Sequence, residues 1–148
     1  MAKKSGGDKA KAPVEHWQDH PEEHDYPAAA AYLSLLCTPA DAKRLVIALK
    51  AAPIEHRKAK DLLRASTLAL LPAENPHVTR DLAKVTNGAA LSPVLLVRGD
   101  LSKGMPLTIA DGYHRVCASY HLDENADIPC HLVDWARPRS SRGPAPVQ

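Results

Sequence analysis

Apolar positions recur at helical spacing through the first half of the chain and gather into short continuous runs through the second. Pro27 opens a segment over residues 28–36 with Tyr32, Leu33 and Leu36 on one side, which predicts a helix. Thr38-Pro39-Ala40-Asp41 is a helix start: Thr38 can cap, Pro39 suits the first turn, and Asp41 sits at the third position. Leu45, Val46 and Leu49 then form an apolar stripe until Pro53 stops the helix. A third helix is predicted over residues 54–65, with Leu62 and Leu63 inward and its bases outward.

Beyond that point the grammar changes. Residues 67–71 form a short apolar run ending at Pro72, and residues 78–85 read as a helix closed by Asn87-Gly88. Residues 94–97 and 107–110 predict buried strands flanking a polar loop, residues 113–122 a helix, and residues 128–133 a last strand. The order ααα-β-α-β-β-α-β indicates an α/β class domain, a mixed sheet with helices packed against it. Residues 13–65 form a helical N-terminal layer and residues 66–134 the α/β domain. Within the first, residues 13–26 carry Trp17 and Tyr26 as anchors in an irregular arm. Residues 1–12 and 135–148 read as disordered basic tails, rich in Lys, Gly and Ser or in Arg, Pro and Ser.

Composition narrows the picture. The 148 residues suit one domain, and a hydrophobic content of 45% supports a core, but with no Phe that core rests on Leu, Val, Ile and Ala. No apolar run reaches the roughly 18–20 residues of a membrane span, and the Lys-rich start lacks a signal's apolar region. Cys37, Cys117 and Cys130 are odd in number and widely spaced, favouring free thiols in a cytoplasmic protein over a disulfide frame or zinc site. The net charge of +2 divides unevenly: each tail carries +3, which leaves the part between them near −4. Residues 13–42 hold six acids and no Lys or Arg, whereas residues 43–64 hold seven bases against two acids. Either the two blocks attract each other, or Lys43, Arg44, Arg57, Lys58, Lys60 and Arg64 face a polyanion. Nucleic acid is a weakly supported partner on this balance, because such binding draws on many phosphate contacts.

The sharpest chemistry lies in Asp111-Gly112-Tyr113-His114-Arg115, where a strand ends, a glycine turns the chain and a helix begins at once. Unpaired N–H groups and the positive dipole end of a helix favour phosphate there. His114 and Arg115 add donors in the first turn, and the planar fork of arginine matches phosphate oxygens. Asp111 is the candidate catalytic group, as a general base or as a magnesium ligand beside bound phosphate. The alternative is plain: Gly112 only makes the turn, and Arg115 pairs with Asp111 or Asp134.

Three segments together, Ser92 to Arg98, Leu107 to Arg115 and Ile128 to Val133, resemble the ParB/sulfiredoxin superfamily. There a P-x-x-V-R strand precedes a G-x-x-R turn and helix, and a final strand begins near (I/V)-P. Leu71-Pro72-Ala73-Glu74-Asn75-Pro76 is similar to the family's first strand and its Asn-Pro exit. The likeness covers residues 66–134, about half the chain. It implies a ParB/sulfiredoxin-like fold and a nucleotide, CTP or ATP/ADP with Mg2+, as ligand of Gly112, Tyr113, His114 and Arg115. It implies Asn75 and His77 at the edge of the same cleft. Sulfiredoxin has Gly-Cys-His-Arg at this turn; Tyr113 stands at the cysteine position here, and a phenol replaces a low-pKa thiol poorly. ParB proteins carry Gly-Glu-Arg-Arg and bind CTP. Phosphotransferases, ATPases and nucleases of the superfamily make phosphoryl transfer the rival to a DNA-associated binding module, with a non-catalytic partner protein whose cleft has decayed as the third reading.

Other groups carry less. His16, His20 and His24 recur every four residues, but Pro21 disfavours a helix there, so a polar arm is expected and no metal site. Asn75 and His77 equally suit capping the next helix. Cys117 falls on the helix after the turn, and Lys103 lies in a loop flanked by glycines.

Overall fold

A computed structural model describes residues 13–135. The basic tails lie outside them, Trp135 apart. In chain order the elements are β1 (His16–Trp17), α1 (Asp25–Leu33), α2 (Pro39–Ala51), β2 (Glu55–Lys58), α3 (Ala59–Ser66), α4 (Pro76–Thr86), β3 (Ala90–Leu91), β4 (Val94–Arg98), β5 (Thr108–Asp111), α5 (Tyr113–Leu122) and β6 (Asp127–Asp134).

Residue chemistry sets the helix ends. Thr38 Oγ1 accepts from the Asp41 amide at 3.1 Å and Pro39 fills the first turn of α2, as its sequence predicts. Ala42, Leu45 and Leu49 form its buried stripe, and Ala52 turns extended ahead of Pro53. Asn75 caps α4 by accepting from His77 N at 2.9 Å and Val78 N at 3.3 Å. Helix α1 departs from expectation. It begins at Asp25, with Pro27 inside its first turn, and buries Asp25, Ala29 and Leu33. Tyr32 and Leu36 are exposed, since four-residue spacing from Asp25 puts Leu33 on the inner stripe and Leu36 lies past the helix end.

The predicted helix over 54–65 divides into strand β2 and helix α3. Glu55, His56, Arg57 and Lys58 have no apolar period, and antiparallel pairing with β6 orders them instead. Their charges suit an edge strand. Residues 67–71, expected as a strand, are not one. Thr67 ends α3 in the left-handed region at φ 60°, and helix α5 takes the following carbonyls. The Tyr113 hydroxyl donates to Ala69 O, and a ring nitrogen of His121 lies 2.7 Å from Leu71 O. The arm also gains order: β1 pairs in parallel with β3, and Trp17 packs on the core.

The main sheet runs β2-β6-β4-β5 and is mixed, with β6 parallel to β4 and the outer pairs antiparallel. Val94-Leu95-Leu96-Val97 is apolar throughout because β4 is covered on both faces. Val94 and Leu96 meet Leu62, Val78, Val116 and Ile128 on one side. Leu95 and Val97 meet Ala29, Leu33, Leu45 and Leu49 on the other. The architecture is therefore mixed α+β, a sheet between α1–α2 and α3–α5. No helix among the described residues is long and apolar enough to cross a membrane.

Candidate functional site

Strand β5 ends against the start of β4, and the chain must turn there in little space. Gly112 adopts φ +113°, and a Cβ on it would lie 2.5 Å from Val94 Cγ1, so only glycine fits. Helix α5 starts immediately. Its first intrahelical bond is from Val116 N to Gly112 O at 3.0 Å, and no side chain caps it. The helix therefore presents its first amides and positive dipole end beside the turn.

A polar hollow of about 150 Å³ lies at that point. Asp111, Gly112, His114 and Arg115 line it from the turn, and His77, Arg80 and Asp81 from α4. The His77 and His114 rings stand 4.6 Å apart between centroids, tilted by 40°. Burial holds the His114 imidazole below its usual range, helped by His77, Arg80 and Arg115 and opposed by Asp81. Burial likewise raises the Asp81 carboxyl, against the pull of Lys84, Arg115, His114 and Arg80.

Arg115 faces inward. One terminal nitrogen donates to Ser92 O at 2.6 Å, to Pro93 O at 3.1 Å and to Ser92 Oγ; the other donates to Asp111 Oδ2. Asp25 of α1 stands 3.7 Å away, within hydrogen-bonding reach of the Asp111 carboxyl. The guanidinium thus meets a pair of neighbouring carboxyls, which includes the pairing with Asp111 that the sequence left open; Asp134 instead binds Arg98 at 2.7 Å. Burial first, and then Asp25, push the Asp111 carboxyl up to about 6, against the lowering effect of Arg115. An Asp111 oxygen committed to a guanidinium is poorly placed to act as a base.

Of the residues singled out from sequence, the fold gathers Asp111, Gly112, His114, Arg115 and His77 at one hollow. Asn75 works as the α4 cap, and Tyr113 is turned away to Ala69. Lys103 lies in the loop joining the opposite ends of β4 and β5. Cys117 is a buried core thiol raised by desolvation. His16 sits in β1 and His24 ahead of α1, so the three arm histidines share no helix. Arg80 and Asp81 were legible as neighbours of His77 at three- and four-residue spacing. Asp25 and Ser92 had no local signal, because their link to Arg115 is made only by the fold.

A larger groove of about 710 Å³ lies by the β4–β5 loop, with Leu62, Leu96, Leu107 and Leu132 in its lining. Arg57, Arg64 and Arg98 beside it are already paired with Glu55, Asp61 and Asp134, which leaves it without convergent polar groups. No family model, curated protein or solved structure matches the chain.

Proposed function

We propose that this protein is a ParB/sulfiredoxin-like binding module that seats a phosphate group, free or at the end of a nucleotide, at the start of α5. One observation carries the reading: an uncapped helix start opens on a hollow that also holds His77, His114 and Arg80. Its volume equals about five waters at ~30 Å³ each, enough for a tetrahedral oxyanion. Drug-sized ligands need about 300–1,000 Å³, so the sugar and base of CTP, ATP or ADP would lie outside. Arg115 serves this seat as a braced positive charge rather than as a free fork. Binding is favoured over phosphoryl transfer because Asp111 is engaged by Arg115. Nucleic acid is not part of the proposal: Arg44, Arg57, Lys58 and Arg64 each have an acidic partner within the fold.

The test is thermal-shift titration with inorganic phosphate, CTP, ATP and ADP, with and without Mg2+. It is run on the protein and on His114→Ala and Arg80→Ala, both at the solvent side of the hollow. Ligand at a hundredfold excess over Kd should add about 2.7 kcal/mol, with both variants weakened and no turnover of nucleotide. Equal shifts in all three proteins, or none in any, would refute the seat.

A further inference from the structure

One member of the hollow is unexplained by anion binding. Asp81 is only 8% exposed and lines the hollow; Lys84, Arg115, His114 and Arg80 attract it, yet no group among the described residues donates a hydrogen bond to its carboxylate. Burying most of a carboxylate without a hydrogen-bond donor is unfavourable. A negative group also repels the ligand that the helix start, Arg80 and the imidazoles attract. Asp111, the other carboxylate in the lining, already accepts from Arg115. Asp81 is thus the acceptor left open to whatever fills the space.

A tetrahedral oxyanion that carries a proton resolves the conflict. Hydrogen phosphate and dihydrogen phosphate both have a P–OH at neutral pH, whereas sulfate has none. Against the Asp81 oxygens, P–OH donates a hydrogen bond, while a bare oxygen sets lone pair against lone pair. We propose that the hollow selects a protonated phosphate, inorganic phosphate or a phosphomonoester, over sulfate and phosphodiesters, with Asp81 accepting from the ligand hydroxyl. The proposal rests on the phosphate seat and specifies its ligand. The roles divide cleanly: helix amides, Arg80 and His77 answer the charge of the anion, and Asp81 reads its proton. Discrimination of this kind uses the penalty on the wrong ligand as much as the gain from the right one.

Isothermal titration of the full chain with sodium phosphate and sodium sulfate, at pH 7 and equal ionic strength, tests it directly. Phosphate should bind at least about tenfold tighter, since hydrogen bonds to charged groups are among the stronger ones. Methyl phosphate should follow phosphate at a pH where it keeps its proton, and dimethyl phosphate should follow sulfate. Asp81→Asn, whose amide can donate, should bind sulfate better than the native protein does and bring the two anions within about threefold. Equal affinities in the native protein would overturn the selectivity while leaving the seat intact. Binding of neither anion would overturn both. Selectivity that persists in a folded Asp81→Asn would remove Asp81 from the role.

Discussion

Replacing Arg115 by Ala strands the Asp111 carboxyl and two backbone carbonyls at once. Asp111 is largely buried and cannot recover the lost donor from solvent without opening the site, while Asp25 loses a nearby charge but keeps the Glu22 amide at 3.0 Å. Removing one partner of such a buried network typically destabilises by about 3–5 kcal/mol, and urea denaturation of Arg115→Ala should show a loss in that range. Arg115→Lys should recover only part of it, because a single ammonium cannot reach Ser92 O, Pro93 O and Asp111 together. A binding defect in either variant would therefore report on folding before it reported on ligand contact. His114 and Arg80 are the informative positions.

Helix α4 delivers His77, Arg80 and Asp81 to the hollow, and its start depends on one side chain. Asn75 Oδ1 accepts from both His77 N and Val78 N. Asn75→Ala should destabilise the protein by about 1 kcal/mol and raise amide exchange in the first turn of α4, measurable by hydrogen exchange. Elements like this one were legible in sequence, because Asn75-Pro76 and Thr38-Pro39-Ala40-Asp41 state a helix start locally and residues 94–97 announce burial by being wholly apolar. Strand β2 was not legible. Its four polar residues owe their conformation to β6, a partner much later in the chain. The opposite error arose at residues 67–71, whose apolar character suggests a strand although Tyr113 and His121 hold the backbone carbonyls there. For the site, the turn chemistry at Gly112 was readable. The inward aim of Arg115 was not, because Asp25 comes from a different layer.

At the scale of the molecule, the two helical layers and the sheet meet electrostatically at Asp25, Arg115 and Asp111. The Asp111 carboxyl is pushed up to about 6 in the folded chain, by burial first and by Asp25 as a like charge, against an ordinary value of 3.8. The folded state therefore holds this proton more tightly than the unfolded one between about pH 4 and 6. Its contribution is greatest below that window and declines as pH rises through it. Denaturation at pH 4, 5, 6 and 7 should show this downward component in the native protein. Asp111→Asn should lack it, whatever its overall stability.

The reach of Asp25 from α1 into the neighbourhood of the turn has a further effect. Any anion bound at the start of α5 sits near a charge balance completed by the opposite layer. Occupancy of the hollow and docking of α1 on the sheet are then reciprocally linked, each opposing the other by the same free energy, because Asp25 offsets the charge of Arg115. Loosening α1 would act as an on-switch exerted through the sheet, on a ligand that the helix itself never touches.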